Sequence, residues 1–338
     1  MRFALCTYLR VISDMFWAVL YDMVPRWDER WRMEPDVVAR ERRNGTIAGL
    51  FCYVFWGLCP IYWKLLGEAS SLEVIAHRII WCFVLVVAIC IITKKDLIGL
   101  FKSKRAWKYL FPAALFVSVN WGLYIYAVDT NRVIETAIGY YINPIVSILL
   151  GIGFFKERLS RLQVIAVSIC AFGILFFTFN YGKFPWIAVT LAVTFGIYGA
   201  IKKKGGYPPA PALAFENTVA LPFALALAFA IPALTGSHCF MADVHSVHGW
   251  VLTLLLIGGG PVTAIPLLLF ATAANKVPLT TIGFLQYVSP SIALLVGVFL
   301  YGEPFTLAHA VCFACIWTGL ALVGVDSVRR ARAAKVSA

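Results

Sequence analysis

Charged side chains are scarce in this chain: they make up 14% of its 338 residues, and only 17 residues are Asp or Glu. A soluble domain carries about 25% charged residues, so this composition cannot cover a water-facing surface and lipid must be the solvent. Nucleotide machinery is missing as well. No G-x-x-x-x-G-K-[ST] run occurs, so ATP is not the direct driver of whatever the protein does. Hydrolytic machinery is thin: there is no H-E-x-x-H and no pair of carboxylates deep in an apolar run. No disulfide framework is visible among the nine cysteines. Six of them (Cys52, Cys59, Cys82, Cys170, Cys312 and Cys315) lie in apolar runs and read as small buried hydrophobes. Cys312 and Cys315 form a C-x-x-C without a second pair nearby, which favours packing over redox chemistry. His238, Cys239, Asp243, His245 and His248 share one loop, but their spacing fits no metal motif. No metal and no cofactor are expected.

Long apolar runs are what the chain has in abundance. Hydrophobic residues make up 61%, and ten runs of about 20 residues are legible: 46–66, 72–92, 107–128, 133–154, 160–179, 184–201, 211–233, 249–272, 279–300 and 305–325. The net charge of +12 resolves into an orientation signal. With the N-terminus inside, the cytoplasmic segments hold 25 of the 29 Lys and Arg residues. The exterior loops hold two, Arg132 and Lys183, and Lys64 and Arg78 lie within spans. This asymmetry places both termini in the cytoplasm by the positive-inside rule, and nucleic acid is not needed to explain the basic balance.

The chain also repeats itself. A shift of 146 residues carries Tyr141 onto Tyr287, Pro144 onto Pro290, Gly151 onto Gly297 and Glu157 onto Glu303. Each half holds five runs, and an odd number of spans re-enters the membrane from the opposite side. The expectation is therefore an all-α integral membrane protein, with ten transmembrane helices arranged as two inverted five-helix repeats, 45–180 and 181–326. Inverted repeats of this kind build many alternating-access transporters. A basic tail, 327–338, follows.

Residues 1–44 stand outside the repeat. Arg10, Asp14 and Asp22 interrupt the aromatic-rich stretch from Phe3 to Val24, which makes a spanning helix costly at about 2.5–3.5 kcal/mol per charge near the centre. An amphipathic helix on the inner membrane face and an over-extended reading frame starting truly at Met33 both fit.

Polar groups inside spans are functional candidates, because hydrocarbon offers them no partner. Lys64 closes the first span; Glu73, His77 and Arg78 open the second. Glu73 and His77 share a helical face, and Arg78 lies about 100° further round. Arg78 suits an anion or substrate contact, and Glu73–His77 a proton or gating pair; an external salt-bridge cluster is the structural alternative. The third and fourth spans offer Asn120, Trp121, Tyr124, Glu135, Tyr140, Asn143 and Pro144. Their repeat partners are Gln286, Tyr287, Ser289 and Pro290. Two polar helices broken by Pro at matching places are what a midplane binding site needs, though Tyr and Asn also hold helices together by hydrogen bonds. The run Gly258–Pro266, with Gly260 and Pro261 at its centre, reads equally as a gate or as a close-packing seam. Glu157 and Glu303 end their spans just before the next helix, where a carboxylate serves as a cap.

The segments "YVFWGLCPIYWKLL", "EVIAHRIIW", "NWGLYIYAV", "ETAIGYYINP" and "GPVTAIPLLLFATAA…GFLQYVSP…YGEP" resemble the RarD proteins, a branch of the EamA-type group within the drug/metabolite transporter superfamily. The likeness covers about residues 45–325. It implies a ten-helix bundle, a bacterial inner-membrane location and small-molecule transport. The expected function is a secondary transporter moving a small metabolite or drug, with the lipid bilayer as partner and a proton or another cation as candidate coupling ion. The alternative is an intramembrane enzyme acting on a lipid-linked substrate.

Overall fold

The long apolar runs fold as helices, because a backbone without water must satisfy its N–H and C=O groups within its own segment. The computed structural model describes residues 35–130, 132–180, 182, 184–235, 238–302 and 305–336. Most of the N-terminal extension, Lys183 and Glu303 lie outside the described residues. The helices are α1 Pro35–Lys64, α2 Ser71–Ile92, a short α3 Leu97–Lys102, α4 Lys104–Asp129, α5 Val133–Phe155, α6 Arg161–Asn180, α7 Trp186–Gly205, α8 Pro209–Thr235, α9 Val247–Lys276, α10 Leu279–Gln286, α11 Val288–Leu295 and α12 Leu307–Val336. A π-helical turn, Val296–Leu300, continues α11. Among the described residues there is no strand, and nine helical segments are long and apolar enough to cross a membrane. The chain is an all-α, multi-pass membrane protein. Helix α4 is 26 residues long but is not one of the nine. Lys104, Arg105 and Lys108 load its first turns, and Asn120 sits in its middle.

Helix starts follow local chemistry. The Ser70 hydroxyl accepts the Glu73 amide hydrogen at 3.2 Å and starts α2; Ser246 does the same for Gly249 at 3.0 Å at the start of α9. The first helix begins earlier than its apolar run. Pro35 opens it, a position where its missing N–H costs nothing, and Arg40, Arg42 and Arg43 extend it outside the apolar stretch.

The bundle is held by paired helices. Helix α6 packs on α12, α5 on α7 and α10, α2 on α8 and α9, α1 on α9 and α11, and α4 on α7 and α8. One core cluster joins α1, α2, α4, α7, α8 and α9 around Cys52, Cys82, Val117, Tyr198 and Phe270. A second ties α5, α6 and α12 together through Ile138, Cys170, Tyr287 and Cys312. The outer surface is apolar, with Phe172, Phe229 and Phe299 exposed, while Glu73, Glu135, Asn143, Glu216 and Gln286 are buried. An apolar outer surface over an apolar core is what a lipid solvent allows, and the buried polar groups are the ones that need partners.

The two proline sites behave differently from the expectation of matched breaks. Near Pro290 the helix does break, at Tyr287 between α10 and α11. Pro144 instead lies inside the continuous α5. Helix α10 crowds it there: a Cβ on Gly283 would stand 2.8 Å from the Pro144 carbonyl oxygen. The missing side chain of Gly283 is what lets α10 approach α5 this closely. Helix α9 likewise runs unbroken through Pro261 and Pro266. A Cβ on Gly260 would fall 2.5 Å from the Trp81 backbone, so the glycine run is a seam against α2.

Candidate functional site

Several polar side chains of the spans meet at one cavity of about 220 Å³. Arg78 from α2, Asn120, Trp121 and Tyr124 from α4, and Tyr140 and Asn143 from α5 line one side. Gln286 of α10 and Ser289 and Pro290 of α11 line the other. Helix α1 adds Tyr53, Trp56, Cys59 and Trp63, α7 adds Leu191 and Phe195, and α9 adds Thr263. The wall is thus apolar with several aromatic faces and a few fixed polar groups, the usual make-up of a small-molecule pocket.

Among the described residues Arg78 is the one ionised side chain in that wall. It sits seven residues, or about 10 Å, inside the start of α2. Its Nε donates to Thr263 Oγ1 at 3.2 Å. Its guanidinium carbon lies 4.5 Å from the Trp121 ring centroid and 5.2 Å from that of Trp63. Such cation–π contacts return about 0.5–2 kcal/mol, against an insertion cost of about 2.5–3.5 kcal/mol for Arg in a span. The two are comparable, so the clamp offsets only part of the charge's desolvation.

Other polar residues hold the wall in place. Asn120 Nδ2 donates to the Leu191 carbonyl at 2.8 Å and to Thr194 Oγ1 at 2.9 Å, binding α4 to α7. Ser147 Oγ donates to Gln286 Oε1 at 3.1 Å, binding α5 to α10. Tyr124 and Tyr140 stand with ring centroids 6.4 Å apart. Tyr140 lines the cavity, and Asn143 Oδ1 has no hydrogen-bond partner among the described residues.

The remaining candidates lie elsewhere. His77 and Glu73 do not pair with each other. Glu73 Oε1 accepts the amide hydrogens of Cys239 and Phe240 at 2.8 and 3.0 Å, and the Phe240 ring stacks on His77 at 4.3 Å. The carboxylate latches the loop before α9, and the imidazole supports that loop's aromatic anchor. Lys64 Nζ stands 3.5 Å over the Tyr301 ring. Glu135 Oε2 accepts the Ile187 amide hydrogen at 3.2 Å in the first turn of α7, with Arg132 3.9 Å from its other oxygen. Tyr287 is fully buried in the second core cluster, behind the cavity. Pro144, Gly260 and Pro261 lie in the helix-packing seams described above. The loop itself is ordered locally: the Ser246 hydroxyl and His245 amide hold the Asp243 carboxyl below its usual range. His248 Nε2 lies 3.0 Å from Glu68 Oε2.

Two features were missed by reading the sequence. Tyr53, Trp56, Pro60 and Trp63 recur at spacings of three and four, the signature of one helical face, and all line the cavity. The partner of Lys202 is the other: its ammonium is buried 2.7 Å from Glu216 Oε1, with the Tyr198 hydroxyl 3.1 Å from Oε2. Glu216 within the apolar run 211–233 was the available signal.

Glu157 is a cap, but for a distant helix. Its two oxygens accept the Leu279 and Thr280 amide hydrogens, each at 2.8 Å, at the start of α10, and Lys203 Nζ lies 3.6 Å from Oε1.

The comparisons with known proteins agree with this architecture. A model of the EamA-like transporter family matches the chain twice, over residues 43–179 and 184–325. The chain is 42% identical to an uncharacterized transporter, YojE, of Bacillus subtilis over 87% of its own length and 98% of the relative's. It is 37% identical to the protein RarD of Streptomyces exfoliatus, covering 86% of this chain and 91% of that one. It is 35% identical to the protein RarD of Escherichia coli K12, covering 86% and 97%. A crystal structure that is 16% identical in sequence superposes with a TM-score of 0.64 over 82% of this chain and 96% of its own, a likeness of fold. The chain belongs to the EamA-like transporter family, in its RarD branch, and is a membrane transporter.

Proposed function

We propose that the protein is a secondary transporter that moves a small metabolite or drug by alternating access, with ten spans arranged as two inverted five-helix repeats. One observation carries the reading: the cavity is walled by both halves, with Arg78, Tyr124 and Tyr140 from one and Phe195, Thr263 and Ser289 from the other. Rocking one half against the other would expose such a site to each side in turn. The helix pairing supports the repeat. If α1, α2, α4, α5 and α6 correspond to α7, α8, α9, the α10–α11 pair and α12, each major contact maps onto another or onto itself. The packing of α5 on α7 maps onto α11 on α1, and α4 on α7 maps onto α9 on α1. The double family match, one per half, supports it too.

The bacterial inner membrane, with both termini in the cytoplasm, fits the charge split. An engineered Asp243→Cys is then labelled from outside intact cells and Lys104→Cys is protected; the opposite pattern overturns the orientation. The enzyme alternative needs converging acid, base or nucleophile groups. Among the described residues the cavity wall offers a guanidinium, phenols, amides, hydroxyls and the Cys59 thiol but no Asp, Glu or His to serve as a base beside them, which favours passage over bond cleavage. Flux of labelled metabolites into proteoliposomes, with and without a proton gradient, tests transport and names the coupling. Conversion of a substrate in place of flux would favour the enzyme.

A further inference from the structure

We propose that the transported molecule is an organic monoanion, whose carboxylate pairs with Arg78 and whose flat apolar body lies against the aromatic walls. This rests on the reading of the cavity as the transport site.

The inference comes from charge balance. Two lysines are buried in this bundle, and each meets a carboxylate: Lys202 with Glu216 at 2.7 Å and Lys203 with Glu157 at 3.6 Å. Arg78 breaks that pattern. Among the described residues it has no carboxylate within ion-pair distance, and the cavity wall contains no Asp or Glu. Only its Nε is engaged, by Thr263. The Nη donors, the planar fork that matches a carboxylate with two parallel hydrogen bonds, have no hydrogen-bond acceptor among the described residues.

Trp63 and Trp121 are placed against the guanidinium, where they fix its orientation without neutralising it. A cation held rigidly at an aromatic cavity and left without a protein counter-charge is complementary to a ligand that brings one. A single fixed cation matches a single negative charge. The flat faces of Trp63, Trp121, Tyr124 and Tyr140 supply the surface for a planar body. A cationic substrate would find like charge at Arg78 and no carboxylate to receive it.

Three probes with one ring and different heads test this: phenylacetate, phenylacetamide and 2-phenylethylamine. Thermal shift of the purified protein in detergent reads binding, and flux into proteoliposomes reads transport. The expected result is stabilisation by phenylacetate, with the amide weaker by at least about tenfold, as loss of a charged hydrogen-bond pair implies, and no response to the amine. Arg78→Ala should abolish the carboxylate response and Arg78→Lys should weaken it. If neither variant folds, the comparison of acid and amide on the natural chain stands alone. No response to phenylacetate, an equal response to the amide, a preference for the amine, or a carboxylate response that survives Arg78→Ala would each overturn the assignment. The transport reading fails separately. Stabilisation by phenylacetate without its flux sinks transport and keeps the anion site. Flux of the amine or amide without response to the acid keeps transport and sinks the anion.

Discussion

Lys202 Nζ and Glu216 Oε1 meet 2.7 Å apart inside the bundle, joining α7 to α8. The Tyr198 hydroxyl donates to the second carboxylate oxygen at 3.1 Å, so both oxygens are occupied. Removing one partner of a buried pair leaves an uncompensated charge and costs about 3–5 kcal/mol, whereas replacing both with apolar groups of similar size is often neutral. Lys202→Met or Glu216→Leu alone should therefore lower the thermal midpoint in detergent sharply. The double change Lys202→Met with Glu216→Leu should recover most of the loss. Additive losses in the double variant would show that the pair is not the source of the stability.

Glu157 fastens the start of α10 to the end of α5 through two amide hydrogens at 2.8 Å. A lost cap costs about 0.5–2 kcal/mol, and hydrogen bonds to a charged group stand at the upper end of the scale. Glu157→Ala should lower the thermal midpoint. Hydrogen exchange at Leu279 and Thr280 should rise more than at α6. Unchanged exchange at those two amides would remove the capping role.

Glu73 holds the loop before α9 by the Cys239 and Phe240 amides. Burial, with the Glu73 and Glu68 carboxylates beside it, keeps the Cys239 thiol above its usual value. Glu73→Ala should release the loop and lower that thiol's pKa together. Both changes increase the reactive thiolate at a given pH. Alkylation of Cys239 by a membrane-impermeant maleimide should accelerate by at least about tenfold, the scale of one lost charge-assisted hydrogen bond. An unchanged rate would show the loop is held by other contacts. Glu73→Gln, which keeps one oxygen acceptor, should lie between.

Much of the helical architecture was legible because hydrocarbon allows so few solutions: an apolar run becomes a helix, and an isolated polar group inside it must find a partner. That logic picked out Arg78, Asn120, Trp121, Tyr124, Tyr140, Asn143, Gln286 and Ser289, which the structure gathers around one cavity. The same helical geometry separated Arg78 from the face of His77, and the structure sends one to Thr263 and the other to Phe240. Glu73 and Glu157 were legible as carboxylates near helix ends, yet their partners lie 166 and 122 residues away, beyond any local pattern. Trp56 and Trp63 were overlooked because aromatics in a span read as packing. Only the neighbouring helices show that they face an opening. Proline was over-read: it lacks one hydrogen bond, yet α5 runs continuously through Pro144, where Gly283 of α10 packs close against it.

The central claim is that the Arg78 cavity opens to each side of the membrane in turn. Ala293 lines that cavity from α11, so an engineered Ala293→Cys reports its access. Membrane-impermeant maleimide labelling, relative to the parent chain, should be measured in right-side-out and inside-out vesicles. The account predicts labelling from both faces, each slowed when the opposite-facing state is trapped by prior alkylation. Labelling in only one of the two vesicle orientations, under every gradient applied, would contradict it.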